Sequence, residues 1–288
     1  MLAESLDYLA IRPEGTYLDA TAGLGSHTAG IAQRLTTGLV IANDRDAESL
    51  EMARRNTLEW QPRIRFHHGK FSSLPSALAE FHIPKVDGIL ADLGVSRYQL
   101  TSPDRGFSLM ASGPLDMRMD RSQTTTAAEL INFTSEHELA DLIYRFGEER
   151  RSRKIARAIV RARPMHTTEE LAGVIERAVP RTSKLHPATQ TFMALRLAVN
   201  DEPGELDSLL SLAPDLINPG GRMVVITFMS LEDRKVKQSF QAMAKDGAAL
   251  ILTRHVVRPG EQEIRTNPPS RSAKLRAVEV RDSHGDPS

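Results

Sequence analysis

The sequence predicts an α/β protein: a mostly parallel sheet covered by helices on both faces, interrupted by a mostly helical insertion. Three observations predict it. Apolar runs alternate with helix-compatible segments between residues 16 and 92, the rhythm of βα units in a parallel sheet. A glycine-rich turn follows the first apolar run. The rhythm stops near residue 93 and resumes after about 205.

The elements follow in order. Residues 1–12 read as a short helix with Leu2, Leu6, Leu9 and Ile11 as its apolar positions, closed by the turn Pro13-Glu14-Gly15. Strands are expected at about 16–20, 38–43, 64–68 and 86–91, with helices at 27–34, 47–60 and 73–81 between them. Residues 93–125 are rich in Gly, Pro, Ser, Asp and Met and read as an extended loop. Helices are expected at 126–131, 136–146, 152–163, 168–178 and 188–199, with Ser135 and Thr167 as N-caps. Thr167 has Glu170 three residues on, a capping-box spacing. A helix at 206–217, a strand at 222–228, a helix at 231–244 and strands at 248–257 and 273–280 complete the chain. The implied organisation is a discontinuous core, 1–100 and 206–288, with a helical segment, 101–205, inserted between the fourth and fifth strands.

Composition narrows the function. The chain has 288 residues, 37 Lys plus Arg against 37 Asp plus Glu, and no cysteine. Disulfides, zinc–thiolate sites and a cysteine nucleophile are excluded. No apolar stretch approaches the ~20 residues of a membrane span, and the first residues lack the basic and apolar regions of a secretory leader. A cytoplasmic protein with no membrane partner is expected. The zero formal charge hides an uneven distribution: residues 150–163 hold seven basic side chains in fourteen positions.

The chemistry sits where the strands end. In sheets of this type ligands bind beyond the carboxyl ends of the strands. Element order places Gly23 to His27, Asp44, Phe71 and Asp92 there. Asp19-Ala20-Thr21-Ala22-Gly23-Leu24-Gly25-Ser26-His27 is a D-x-x-x-G-x-G turn, looser than the full dinucleotide fingerprint. Asp44 lies nineteen residues after Gly25, at the end of the second strand, placed to accept both hydroxyls of a ribose. Asp46 is given the helix-capping role. Nicotinamide and adenosylmethionine enzymes share this arrangement. Thr28 stands where a third glycine would flank a pyrophosphate, and Asp19 can hold a methionyl amino group through the turn; both favour adenosylmethionine.

Longer blocks then carry a specific resemblance. They are Asp92-Leu93-Gly94-Val95-Ser96, Arg105-Gly106-Phe107-Ser108 and Gly113-Pro114-Leu115-Asp116-Met117-Arg118-Met119-Asp120. Gly147-Glu148-Glu149-Arg150, Arg153 to Ile159, His186 to Phe192, Ala194-Leu195-Arg196 and Ala198 to Glu202 continue them. Ser230-Leu231-Glu232-Asp233-Arg234, Val236-Lys237 and Arg271 to Ala277 complete them. Together they resemble the bacterial 16S rRNA (cytosine-N(4))-methyltransferase family (RsmH/MraW-like) over nearly the whole chain. The resemblance implies a class I S-adenosylmethionine-dependent methyltransferase, Rossmann-like, with an inserted helical domain for substrate recognition. It implies methyl transfer from S-adenosyl-L-methionine to the exocyclic amine of one cytosine in the decoding centre of 16S rRNA, with the small ribosomal subunit as partner.

The cofactor positions carried over are Gly25, Ser26, His27, Asp44, Phe71, Asp92 and Gln99; Gln99 comes from the resemblance alone. Asp92 is also the catalytic candidate, a carboxylate able to take the amine proton. Tyr98 and Phe107 are expected to stack on the target cytosine, and Asp116 and Arg118 to hydrogen-bond a base or each other. Arg150, Lys154, Arg157 and Arg161 follow helical spacing and form a candidate phosphate-binding stripe. No metal site is expected.

Several positions depart from the family pattern: Ser26 for a second glycine, Thr28 for serine, Lys70 before Phe71, Arg97-Tyr98 before Gln99, and Met229 for a histidine. The histidine-containing leader usual before Leu2 is also missing, so an edge of the pocket is expected to be shortened. Three rival readings stay open at this level: methylation of another RNA or DNA base, a nicotinamide oxidoreductase, and a non-enzymatic ribosome-assembly protein. The sequence also leaves a homodimer open.

Overall fold

The computed structural model describes residues 1–181 and 185–282; the last residues assigned to the core, 283–288, lie outside it. The chain divides into two compact units, 1–94 with 204–288, and 95–203. The division falls after Gly94 and before Gly204, a few residues earlier on each side than the sequence reading places it.

The first unit begins with α1 (Leu2–Leu9), β1 (Thr16–Asp19), α2 (Ser26–Arg34), β2 (Leu39–Asp44), α3 (Ala47–Asn56), β3 (Ile64–His68), α4 (Leu74–Glu80) and β4 (Val86–Asp92). The second holds α5 (Arg97–Thr101), α6 (Ala127–Phe133), α7 (Glu136–Gly147), α8 (Ser152–Ala162), α9 (Thr168–Ala178) and α10 (Thr189–Val199). The helix α11 (Glu202–Leu216) returns the chain to the first unit, which ends with β5 (Ile217–Thr227), α12 (Ser230–Lys245), β6 (Ala249–Ile251), α13 (Glu261–Thr266) and β7 (Lys274–Val280).

The sheet order is β3-β2-β1-β4-β5-β7-β6. All pairings are parallel except those of β7, which runs antiparallel to β5 and β6. Strand alternation divides the core between two faces. Leu18, Ile41, Ile89, Met223 and Val225 share one cluster with Leu74 and Leu78 of α4, Leu206 and Leu209 of α11, and Val236 and Phe240 of α12. Tyr17, Val40, Leu90, Val224 and Ile226 share the other with Leu6 and Leu9 of α1, Ile31 of α2 and Leu50 of α3. Both faces are covered, so the central strands read as continuous apolar runs.

Several elements differ from the sequence reading: α5 lies within the segment read as a loop, α11 and β5 begin at Glu202 and Ile217 instead of 206 and 222, and three more differ as follows. The strand expected at 248–257 stops at Ile251, because the Ala277 N–H goes to the Thr253 hydroxyl at 3.0 Å instead of to a ladder carbonyl. Val257 rejoins through a single bridge to Leu275. The helix expected to reach residue 60 ends at Asn56, and Pro62 lies in the 3-10 turn Leu58–Arg63 that follows. α13 has six residues and no buried side chain, so it leaves no apolar period to read.

The second unit has its own core, built from Ile131, Leu139, Ile143, Ile155, Ile159, Leu171, Ile175 and Leu195. Its helices start at sharp signals. Thr126, Ser135 and Thr167 each form a reciprocal capping box with Glu129, Glu138 and Glu170. The segment 93–125 is irregular but tightly held. Buried Arg105 donates to the carbonyls of Arg118 and Met119 at 2.9 and 3.0 Å. Asn200 accepts from the Met119 N–H at 2.7 Å and donates to the Met117 carbonyl at 2.8 Å. Met117 itself sits at φ 60°, a strained value that these bonds maintain. Gly106, at φ 72°, has no room for a side chain: an added Cβ would lie 2.2 Å from the Pro114 carbonyl oxygen.

One stability contrast follows from α8, whose Ile155 is fully buried and whose Lys154 is exposed. Ile155→Ala should lower unfolding free energy by about 2–5 kcal/mol, read by denaturant titration. Lys154→Ala should stay within about 0.5 kcal/mol of the parent.

Candidate functional site

The turn after β1 is built around Asp19, which is completely buried. Its Oδ2 accepts from the Thr28 hydroxyl at 2.6 Å and its Oδ1 from the Thr21 N–H at 3.2 Å. Burial still lifts this carboxyl to about 6. Two backbone bonds continue the sheet past the strand, from Ala20 N–H to the Leu90 carbonyl and from Ala22 N–H to the Asn43 carbonyl, both 2.8 Å. The buried Asn43 amide reaches the carbonyls of Ala20 and Gly69, each at 3.1 Å, so it ties the ends of β1 and β3 together.

Gly25 and Ser26 now separate by role. Gly25 caps α2 at φ 90°, and a Cβ there would lie 2.9 Å from Thr57 Cγ2 and 3.2 Å from Ala53 Cα. Its glycine is required by conformation and by the close approach of α3. Ser26 is exposed and begins the helix, so the local backbone accommodates serine where the family has glycine.

Asp44 closes β2. Its Oδ2 accepts from the Gly23 N–H at 2.7 Å and its Oδ1 from the Asp46 N–H at 2.8 Å. A carboxylate has about four acceptor directions, so both oxygens keep capacity for ribose hydroxyls. Burial raises this group to about 6, with the two backbone bonds pulling the other way. Asp46 caps α3 through Glu48 and Ser49, as its position suggests.

At the end of β4 the Asp92 N–H donates to the Thr21 hydroxyl at 2.7 Å. The same threonine whose N–H reaches Asp19 therefore anchors Asp92. Asp92 Oδ2 lies 3.7 Å from His27 Nδ1. Asp92 Oδ1 and His27 Nε2 are both buried and lack a hydrogen-bond partner among the described residues. Burial pushes Asp92 up to about 7; Asp19, Glu263 and Glu232 add repulsion, and the Met1 amino group pulls against them. Burial holds the His27 imidazole down to about 4, so it is neutral at pH 7. Phe71 is half-buried in a 3-10 turn and packs on the apolar cluster of its sheet face. That turn is pinned from the far end of the chain: Glu205 accepts from the Ser72 N–H at 2.9 Å and from its hydroxyl at 3.0 Å.

The structure thus brings Gly25, Ser26, His27, Asp44, Phe71 and Asp92 to the carboxyl end of the first unit's sheet. Gln99 belongs to the second unit, where it is buried and forms the capping box of α5 with Ser96. Tyr98, on the same helix, is partly buried.

Two expectations for the second unit, Phe107 and Arg150, are corrected, and of the two partners expected for Asp116 and Arg118, a base or each other, the structure shows each other. Phe107 is only 8% exposed and lies in the core beside Arg105, so it is not a free stacking face. Asp116 and Arg118 hold each other in a fork, Nε to Oδ1 at 2.7 Å and Nη2 to Oδ2 at 2.8 Å. The remaining Arg118 nitrogen serves the carbonyls of Arg121 and Gln123. These bonds shape the loop from inside. Arg150 lies in the turn before α8, not on it. The exposed basic face of α8 is Arg153, Lys154, Arg157 and Arg161, and Arg157 makes a surface pair with Glu136 at 3.3 Å.

Sequence reasoning misses Thr21, Asn43, Glu205 and the bond from Thr28. Thr28 stands at the third-glycine spacing, a signal that reads only as an absence. Glu205 meets a partner 133 residues away, which no local pattern shows.

Asp44 accepts one backbone bond on each oxygen and the Asp92 side chain is partly exposed, so the site suits a ligand that brings hydroxyl donors and positive charge. S-adenosylmethionine has a ribose diol, an ammonium and a sulfonium, and this acceptor set fits it: Asp44 would take the diol, the turn beside Asp19 the amino end, and Asp92 would lie near the reacting end. Among the described residues no cluster of metal-ligating side chains exists, and no helix is long and apolar enough to cross a membrane.

Comparison with known proteins agrees with this chemistry. A solved chain from Clostridium thermocellum superposes with a TM-score of 0.50 at 13% identity over 97% of this chain and 96% of that one, a likeness of fold. The ribosomal RNA small subunit methyltransferase H of Solibacter usitatus is 66% identical over 98% of both chains. The protein of the same name from Koribacter versatilis is 51% identical over 96% of this chain and 91% of its own. The sequence profile of the MraW methylase family matches residues 1–281, and the chain belongs to that family.

Proposed function

We propose that this chain methylates the N4 amine of a cytosine in the decoding centre of 16S rRNA, with S-adenosylmethionine as donor, on the small ribosomal subunit in the cytoplasm. The observation that carries the reading is family membership over residues 1–281, joined to a carboxylate at the end of β4 with one oxygen unpartnered.

When bound, S-adenosylmethionine supplies a methyl group already activated by a positively charged sulfur. The chain has to align the attacking nitrogen and receive one proton. A bound donor would give up its methyl carbon to the amine nitrogen and keep the electron pair of the bond it loses. The amine then carries one proton too many, and ionised Asp92 is the acceptor. Asp44 orients the ribose, Phe71 supplies an apolar surface for the adenine, and the Gly25–His27 backbone lines the methionyl end. A base inside a helix cannot reach such a site, so the target must leave its stack. Tyr98 remains the aromatic candidate for that base, and Gln99 the second unit's candidate for the cofactor. The exposed arginines and lysine of α8, with Arg150 in the preceding turn, suit RNA phosphates.

Three measurements test this. Labelled methyl transfer to immature small subunits and to naked rRNA, followed by nucleotide mapping, should place the label on cytosine N4; label on another base, or none, overturns the assignment. Asp92→Asn should lower the rate by roughly a hundredfold, the scale of a lost general base, with the melting temperature retained.

The pH dependence has a definite sign. Asp92 is raised to about 7 in the free protein and Asp19 and Asp44 to about 6, and a cationic ligand prefers the ionised carboxyls. Affinity for S-adenosylmethionine should therefore climb between about pH 5.5 and 8. S-adenosylhomocysteine, which lacks the sulfonium charge, should show a shallower climb, and Asp92→Asn should flatten the upper part. Isothermal titration calorimetry across this range decides it.

Charge removal on α8 gives the third test. Lys154→Glu with Arg161→Glu should weaken RNA binding regardless of base sequence. The slope of log affinity against log salt should fall by about one for each phosphate no longer neutralised, while S-adenosylhomocysteine affinity stays unchanged.

A further inference from the structure

Phe133 ends α6 with its side chain 84% exposed, although phenylalanine is among the residues that folding most often buries. A scattered exposed apolar side chain is ordinary; the support beneath this one is not. Arg163 donates from Nε to the Ile131 carbonyl at 2.6 Å and from Nη2 to the Thr134 carbonyl, on either side of Phe133. Asn132 donates to the Met165 carbonyl at 2.8 Å and accepts the Met165 N–H at 2.9 Å. A helix's last turn leaves carbonyls without intrahelical partners, and here the segment that follows α8 supplies one. The backbone under Phe133 is therefore held on both sides while its ring stands in solvent.

The same ties bring Phe133 to the basic helix. Arg163 directly follows α8, and Arg157 of α8 pairs with Glu136, three residues after Phe133. Phe133 thus neighbours the carboxyl-terminal half of α8, where Arg157 and Arg161 are exposed. The Arg157–Glu136 pair is open to solvent on both sides. Such pairs are worth little, so a phosphate can replace the carboxylate at small cost.

We infer that Phe133 is a stacking platform for an unpaired base of the RNA whose phosphates α8 neutralises. The inference rests on RNA being the substrate. A fixed aromatic face beside exposed cations is the combination that holds single strands. A duplex keeps its base faces inside its own stack, so the ring can meet only a nucleotide that is out of it. A base on so open a face is not enclosed as a reacting base must be, so Phe133 takes a flanking nucleotide. The acids that follow it, Glu136 and Glu138, are bound to Arg157 and to Ser135, and the base is neutral, so the phosphates are left to α8. A protein partner fits less well, since Ser135, Glu136, His137 and Glu138 beside the ring are exposed and polar and would have to be desolvated around a single apolar side chain.

The test is binding of a single-stranded RNA oligonucleotide, of a duplex of the same length and of immature small subunits, by the unsubstituted chain and by Phe133→Ala, Phe133→Leu and Phe133→Tyr. Phe133→Ala should raise Kd for the single strand about tenfold and leave duplex binding unchanged. The slope of log affinity against log salt should not move, because no charge is removed. Phe133→Tyr, which keeps the ring, should bind as the unsubstituted chain does; Phe133→Leu, which keeps an apolar side chain without a π-face, should lose as much as Phe133→Ala. Melting temperatures should hold, because the side chain is exposed. Unchanged single-strand affinity overturns the inference, and so does an equal loss on duplex, full affinity in Phe133→Leu, or a lowered melting temperature that accounts for the loss. Weakened binding to subunits with naked RNA affinity intact assigns Phe133 to a protein contact instead and overturns it too. If the unsubstituted chain binds no RNA in any form, the substrate reading itself fails and takes this inference with it; if it binds and Phe133→Ala binds equally well, the inference alone fails.

Discussion

The carboxyl end of the sheet depends on the buried Asp19 carboxylate and the two groups it holds. Through Thr28 it fixes the first turn of α2, and through the Thr21 N–H it fixes the middle of the glycine turn. Thr21 then passes the constraint sideways, since its hydroxyl accepts the Asp92 N–H. One carboxylate with no solvent exposure therefore sets where His27 and Asp92 stand. Such a group is poor evidence for stability, because desolvating a carboxylate consumes much of what its bonds return. Its value is geometric: each partner has one arrangement that satisfies it, so the turn has one shape.

Hydrogen-bond satisfaction separates two classes among the residues that mark the family. Asp116 with Arg118, and Asp233 with Arg276 at 2.7 and 3.2 Å, are matched pairs whose donors and acceptors are consumed inside their own units. Glu232 accepts the N–H groups of Phe228 and Met229, both at 3.1 Å, and so shapes the start of α12 even with methionine in place of the family's histidine. Arg105 and Asn200 do the same for the long irregular segment. Several of these bonds, such as those of Arg105, Asn200 and Arg276, join distant stretches of the chain and hold each block in one arrangement. Asp92, His27 and Arg45 form the other class: each has buried polar atoms without a partner among the described residues. A family block by itself does not say which class a residue belongs to.

The same distinction explains what is legible from the chain alone. Strand ends are legible because side-chain alternation and element order are local properties. Counting elements places Asp44, Phe71 and Asp92, and residue type with position places the cap at Asp46. Ser135 and Thr167 are signalled as caps by their hydroxyls with Glu three positions on, whereas Thr126, read as the first helical residue, is the cap of α6. Loop residues are not legible in this way. Phe107 has the chemistry of a stacking residue and the position of a core residue, and its burial is set by helices that follow it in the chain. Glu205 looks like any first-turn acid until Ser72 is found against it. The basic stripe is legible as a period but not in its boundary, since the helix starts at Ser152 and Arg150 falls in the turn before it.

The departures at the glycine turn follow from where constraint lies. A glycine is demanded at Gly25, where φ is 90° and a Cβ would lie 2.9 Å from Thr57 Cγ2. The next position is exposed and helical, so a serine there leaves the backbone path unchanged. Thr28 keeps the hydroxyl that Asp19 requires, and its added methyl is accommodated in a fully buried site. Substitution is therefore tolerated where the turn needs only a backbone and resisted where it needs a conformation or a bond. By that criterion the turn keeps the conformation it needs at Gly25 and the bond it needs at Thr28, and Ser26 changes neither.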